Sequence, residues 1–245
     1  MIYGSKVTKE TAPDGGQDGE EQRGENRDES RAAPPVQPLV DLGSTTLKTP
    51  HGNIHCLTIV GQIEGHMTLP GGAKATKYEH VLPLLAALEA SNEVRGVLFL
   101  LNTMGGDVEA GLAIAELIAG MTKPTASLVL GGGHSIGIPL AVAPKRTLIA
   151  PSASMTVHPI RMNGTMIAAP QTYHYFSRLQ ERIVRFVTRN SRIGEERFTS
   201  LMMASKDMAA DVGSVIYGEE AVACGLIDQI GSLSDALKAL YTMMA

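Results

Sequence analysis

The residues best suited to covalent chemistry in this chain lie in Gly131-Gly132-Gly133-His134-Ser135-Ile136-Gly137, where one hydroxyl stands among glycines between two apolar runs. The run before it, Ala126-Ser127-Leu128-Val129-Leu130, has the character of a strand buried on both faces. The run after it, with Ile136, Ile138, Leu140, Ala141 and Val142, reads as the first turns of a buried helix. A strand that turns through glycines into a helix points backbone N–H groups and the positive end of the helix dipole at the turn, where they would stabilise an oxyanion. Gly105-Gly106 closes a second apolar run and His158 follows a third. In one cleft, the N–H groups of Gly106 and Ile136 would hold the oxyanion, and the His158 imidazole would take the proton from Ser135. Each feature alone has an ordinary explanation, a glycine turn with an incidental serine or a structural histidine at a strand end; the conjunction carries the reading.

Chain order excludes one familiar arrangement of these groups. An α/β-hydrolase orders its triad as Ser, then Asp or Glu, then His. Here no acidic residue occurs between Ser135 and His158, nor before His174, the last histidine. An acid that supports His158 must therefore come later, from Glu181, Glu195, Glu196, Asp207, Asp211, Glu219, Glu220, Asp228 or Asp235.

The elements that would position these residues alternate along the chain. Ile54–Gln62 alternates like a strand, and Tyr78–Ala90 carries Val81, Leu82, Leu84, Leu85 and Leu88 at helical spacing. Gly96–Leu101 reads as a buried strand and Val108–Gly120 as a helix with Leu112, Ile114, Leu117 and Ile118 on its apolar side. Arg146–Ala150 is a further strand, leading to Ser154–Pro159. Such alternation implies an α/β fold, a mostly parallel sheet covered by helices, with chemistry at the strand ends.

Composition bounds the rest. The 245 residues are 44% hydrophobic but only 4% aromatic, so the core is aliphatic. A net charge of -4 gives no electrostatic case for nucleic acid. The two cysteines, Cys56 and Cys224, lie far apart without metal-ligand spacing and read as free thiols of a reducing cytoplasm. No residue cluster suggests a metal, nucleotide or other cofactor. Apolar runs are interrupted before membrane-spanning length, which makes a soluble, cytoplasmic protein the expectation. Residues 1–38 are expected to form a disordered, mixed-charge tail, because Lys6 to Pro38 is rich in Glu, Asp, Gly, Gln, Arg and Pro without helical or strand period. Residues 39–245 would then form one α/β domain.

Four segments together resemble the proteolytic subunit of the Clp protease, in particular its translocation-enhancing (TepA) branch. They are Leu101-Asn102-Thr103-Met104-Gly105-Gly106, Gly133-His134-Ser135-Ile136-Gly137, Val157-His158-Pro159, and Glu220-Ala221-Val222-Ala223-Cys224-Gly225-Leu226-Ile227-Asp228. The resemblance implies the ClpP/crotonase fold and a serine endopeptidase with Ser135 as nucleophile, His158 as base, and Gly106 and Ile136 as oxyanion hole. It implies a heptamer-like ring of identical subunits, with the helix from about Pro170 to Arg192 as a protruding handle. Tyr173, Phe176, Leu179, Ile183, Phe186 and Val187 form an apolar stripe along that helix, and Arg161–Ala169 would supply a strand before it. The chain departs from the family pattern in three places. Gly213 falls where the catalytic aspartate is expected, leaving Asp211 as the nearest acid and Asp207 as the weaker candidate. Met104 stands where the family has proline, and His134 beside the nucleophile is unusual.

Three functions follow as expectations. The first is a peptidase acting on peptides or unfolded polypeptides, with signal peptides as a candidate class and an ATPase or secretion machinery as a candidate partner. The second is a catalytically weak ring that serves as a scaffold in secretion. The third, a crotonase-type acyl-CoA enzyme, has no need of Ser135 and His158 together.

Overall fold

The computed structural model describes residues 43–161, 168–205 and 212–245. The tail expected over 1–38, most of the strand expected over Arg161–Ala169, and both Asp207 and Asp211 lie outside them.

The chain begins with β1 (Ser44–Thr49) and β2 (Gly52–Glu64), an antiparallel hairpin, followed by the short β3 (Ala75–Lys77) parallel to β2. Helix α1 (Tyr78–Ala90), β4 (Val94–Gly106), helix α2 (Val108–Gly120) and β5 (Thr125–Gly133) then alternate, as the periodicity predicts. The strands run longer than their apolar runs suggest. β4 continues as paired strand through the glycine turn to Gly106, because it follows β2 in register as far as Ile63. Helix α3 (Gly137–Val142), β6 (Arg146–Ile149) and β7 (Ser154–Val157) complete the first part of the described chain. After them come α4 (Ala169–Arg189), α5 (Glu195–Met202), β8 (Ser214–Tyr217), α6 (Gly218–Ala223), β9 (Gln229–Ile230) and α7 (Leu233–Met244).

The main sheet has the order β1-β2-β4-β5-β6-β9, parallel from β2 onward. Alternate residues of its central strands face two separate cores. Leu57, Ile59, Val97, Phe99, Leu101 and Val129 pack with Val81 and Leu85 of α1 and Ile114 and Ile118 of α2. Ile54, Cys56, Leu98, Ala126 and Leu128 pack with Ala236, Leu240 and Met244 of α7. Burial on both faces is why these strands read as continuous apolar runs rather than alternating ones. Each fully buried aliphatic side chain contributes about 1.5–3 kcal/mol relative to exposure, so the two cores fix the strand register firmly.

The feature that creates a cleft is a division of β5. Residues 126–129 pair with β6, but Gly132 pairs with Ser154 of β7. β7 in turn pairs antiparallel with β8, with Val157 opposite Ser214. The ends of β4, β5 and β7 thereby converge. α4 closes one side: Leu179, Val184, Phe186 and Val187 are buried, whereas Tyr173 and Tyr175 toward its start are 72% and 56% exposed. The expected apolar stripe therefore meets the core only along its later half, and the earlier half stands out as a handle. Paired bonds from Arg182 to Glu109 (2.7 and 3.0 Å) and from Arg189 to Glu116 (3.0 and 2.9 Å) clamp that later half to α2.

One buried group makes stability depend on pH. His55 of β2 is buried, its Nδ1 lies 2.9 Å from the Thr46 hydroxyl of β1, and its Nε2 has no hydrogen-bond partner. Burial pushes the imidazole below the ordinary value of 6.5. In the window between the folded and unfolded values the unfolded chain binds more protons, so the His55 contribution is present above pH 6.5 and is lost as pH falls from 6.5 through the lowered folded value. Its slope is at most about 1.4 kcal/mol per pH unit. His55→Asn, which retains a partner for Thr46, is expected to flatten the acid limb of a denaturant-midpoint against pH curve; an unchanged limb would exclude His55 as its source.

Candidate active site

The glycine turn at the end of β4 is held from within. Thr103 is buried; its hydroxyl donates to the Gly61 carbonyl (2.6 Å) and accepts from the Gly105 N–H (3.1 Å). These bonds hold the loop from within, and Met104 is 67% exposed. Gly105 and Gly106 have φ of +92° and +152°, values that only glycine adopts without strain. A Cβ on Gly106 would stand 2.2 Å from the Ile63 carbonyl oxygen. Asp107 then caps α2 by accepting from the Ala110 N–H at 2.8 Å. Asn102 ties this turn to the next, its Oδ1 accepting from the Gly132 N–H at 3.0 Å.

Ser135 follows β5 with φ +56°, one of two non-glycine residues with positive φ among the described residues. That left-handed conformation costs roughly 1–2 kcal/mol, and the backbone around it is pinned. The His134 N–H donates to the Thr103 carbonyl (3.1 Å), Ser135 N–H to Thr156 (2.9 Å), Gly137 N–H to His134 (2.8 Å) and Ile138 N–H to Ser135 (3.0 Å). Strain kept in place by surrounding bonds is characteristic of a nucleophile presented on a sharp strand-to-helix turn. The following helix is shorter than the apolar run suggests: α3 has six residues, all buried. Its dipole is correspondingly small, so any oxyanion stabilisation falls to individual N–H groups. The Ile136 side chain is buried, packed so closely on Gly111 of α2 that a Cβ there would lie 2.4 Å from its Cγ1.

His158 follows β7 directly. Its Nδ1 lies 2.6 Å from the Pro159 carbonyl oxygen. A carbonyl only accepts, so Nδ1 carries the hydrogen and the neutral ring leaves its lone pair on Nε2, the tautomer a general base requires. Gly213 lies alongside with φ +140°; a Cβ there would stand 2.6 Å from the Val157 carbonyl oxygen and 2.8 Å from the His158 Cβ. The position expected to hold the triad acid therefore has no room for a side chain in its present backbone. Asp211 and Asp207 lie outside the described residues.

Ser135, His158 and Gly106 line one cavity of about 150 Å³, completed mainly by Val108, Ile138, Ile160, Ile183, Phe198 and Met202. Three strand ends thus bring together the serine, histidine and glycine singled out from sequence. The apolar wall from α5 was not foreseen, although Phe198, Leu201 and Met202 recur at helical spacing. Nor were Thr103, Thr156 and the Pro159 carbonyl, which act through hydrogen bonds that leave no sequence pattern. Among the described residues no three His, Cys, Asp or Glu side chains are grouped as a metal would require, and no helix is long and apolar enough to cross a membrane.

Comparison with known proteins bears on the family and the fold. Residues 51–233 match the family model for Clp protease. The chain is 50% identical over 210 residues to the translocation-enhancing protein TepA of Halalkalibacterium halodurans, covering 85% of this chain and 82% of that protein. It is 27% identical over 146 residues to the ATP-dependent Clp protease proteolytic subunit 1 of Protochlamydia amoebophila, covering 58% of this chain and 68% of that one. With the corresponding subunit of Chlamydia abortus it shares 33% identity over 79 residues, 31% of this chain and 41% of the relative.

Proposed function

The chain belongs to the Clp protease family, and on that premise we propose that it is a serine endopeptidase cleaving peptides or unfolded polypeptides. One observation carries the reading: a serine held in a left-handed turn shares a cavity with a histidine whose tautomer leaves Nε2 free. In the proposed reaction the Ser135 hydroxyl proton passes to His158 Nε2 as Oγ bonds to the substrate carbonyl carbon. The resulting oxyanion is held by the N–H groups of Gly106 and Ile136. Collapse breaks the peptide C–N bond, the leaving amine takes the proton from His158, and water releases the acyl group by the same steps. The imidazolium formed on the way is supported by its bond to the Pro159 carbonyl, and Asp211 is the proposed acid. The lining by Ile138, Ile160, Ile183, Phe198 and Met202, with Arg161 as its charged member, suits a mainly apolar side chain beside the scissile bond.

The working form we propose is a cytoplasmic homo-oligomeric ring joined through the exposed half of α4, as in other Clp family members. Substrates would include signal-peptide-like segments in support of translocation, the role that the TepA name denotes for that relative, with an ATPase or secretion component as partner. The glycine packed against His158 favours one alternative, a catalytically weak ring that acts as a scaffold. Incubation with casein and with apolar signal-peptide sequences, followed by mass-spectrometric mapping of new termini, separates the two. Cuts after apolar residues, absent in Ser135→Ala, are expected; intact substrates with correctly assembled protein would leave the scaffold.

A further inference from the structure

We infer that His134 is a positioning residue, whose bond to the Thr156 hydroxyl fixes the spacing between the strand end that carries His158 and the turn that carries Ser135. The inference rests on reading Ser135 and His158 as nucleophile and base, and adds the element that sets their separation.

The need for such an element comes from the topology. β5 and β7 share one ladder pair, Gly132 with Ser154. Beyond that pair, two bonds join the diverging chains, and both end on Thr156. The Ser135 N–H donates to the Thr156 carbonyl at 2.9 Å, and the Thr156 Oγ1 lies 2.9 Å from His134 Nδ1. Thr156 is two residues before His158, so the position of His158 relative to Ser135 is set through this residue. The imidazole is itself confined. Its backbone is bonded to the Thr103 carbonyl and to the Gly137 N–H, and its ring lies so close over Gly132 that a Cβ there would meet Nε2 at 2.3 Å.

His134 does not line the cavity that holds Ser135 and His158. Its Nδ1 is engaged by Thr156, so it acts through the strand rather than on a substrate. Burial, and then the charge of the neighbouring His158, hold its pKa below the ordinary 6.5. The shift favours the uncharged ring, which bridges strand and turn without adding a positive charge beside the base. This gives a physical account of a histidine at a position where the sequence alone offered none.

The test compares His134→Ala, His134→Asn and Thr156→Val in the full chain, with thermal unfolding and particle size confirming that each variant folds and assembles as the parent does. The first readout is the second-order rate of Ser135 labelling by a fluorophosphonate. His134→Ala and Thr156→Val are each expected to label about 10–100-fold more slowly, since a displacement of order 1 Å costs about that much. The double variant should be no slower than either single one, because both remove the same bond. His134→Asn, whose amide offers a polar atom near the place of Nδ1, should recover most of the rate. The second readout needs no activity: in Ser135→Ala protein the His158 ring nitrogens are followed by ¹⁵N NMR. One Nδ1–H tautomer, held by the Pro159 carbonyl, is expected with and without His134, and adding His134→Ala is expected to move the His158 ring resonances as the strand end shifts. A wild-type protein that never labels defeats the peptidase reading, and the NMR comparison then decides the inference alone. Wild-type labelling rates in His134→Ala, no recovery in folded His134→Asn, or a His158 spectrum indifferent to His134 would each overturn it.

Discussion

Ser135→Ala is expected to lower peptide cleavage by on the order of a millionfold, and His158→Ala by a comparable factor, because nucleophile and base act as one unit. The double variant should be no worse than either single one, which distinguishes a reacting pair from two independent contributors to binding. Asp211→Asn addresses the third member. If Asp211 orients the imidazole, its loss costs about ten-thousandfold. If the Pro159 carbonyl, at 2.6 Å from Nδ1, holds the ring, the loss is a few-fold, and the enzyme works as a dyad supported by backbone. Ser135 also carries a separate signature in stability. With φ at +56°, Ser135→Gly relieves strain of roughly 1–2 kcal/mol, against roughly 0.4–1 kcal/mol from the freer unfolded chain. A rise in Tm of about 2 °C is expected for Ser135→Gly and none for Ser135→Ala, though both are inactive. A Tm lowered by glycine would mean that the entropy of the freer unfolded chain outweighs any strain at the serine, and would remove the feature on which the nucleophile assignment rests.

How much of this was legible in the sequence follows from the kind of signal each part leaves. α1 and α2 were readable because their apolar positions repeat at helical spacing. The central strands were readable because two-sided burial makes them continuously apolar, but their ends were not. β4 runs on to Gly106 through pairing with β2, a tertiary contact that overrides the local turn signal of two glycines. The short β1, β3, β8 and β9 and the helices α5, α6 and α7 were missed. The strands are two to six residues long, whereas α7 does carry a helical period, with Ala236, Leu240 and Met244 at four-residue spacing and Leu237 and Tyr241 beside them, and was simply not read. At the candidate site, Ser135, His158 and Gly106, which line one cavity, could be singled out because their residue types carry chemistry. What positions them could not be found this way. The division of β5 between β6 and β7, the Thr103 bonds and the Pro159 carbonyl are facts of backbone geometry, and threonine or proline at those places has no distinctive spacing.

Gly106→Ala is the change expected to damage both the fold and the chemistry, by one route. At φ +152° a Cβ would sit 2.2 Å from the Ile63 carbonyl oxygen and 2.7 Å from the Ile63 nitrogen, and neither is the flexible end of a side chain. To admit it, the end of β4 must move away from β2, where Ile63 is the register partner of Gly106. The same Ile63 carbonyl accepts the Asp107 N–H at 3.0 Å, and Asp107 caps α2. The displacement is therefore passed to a helix start, whose cap is worth about 1 kcal/mol. Together with the strained φ this is expected to cost about 2–3 kcal/mol, or a Tm lower by about 4–12 °C. In the fraction still folded, the Gly106 N–H no longer meets the developing oxyanion, and loss of one such donor lowers the rate by about 10²–10³. Fluorophosphonate labelling and peptide cleavage at a temperature well below the lowered Tm separate the two effects. Gly71→Ala is the control, since nothing lies within 4 Å of its added Cβ, and it should change neither quantity. A folded Gly106→Ala protein that cleaves at the parent rate would show that the loop supplies no oxyanion contact. The Ile136 N–H would then be left to stabilise the tetrahedral intermediate alone.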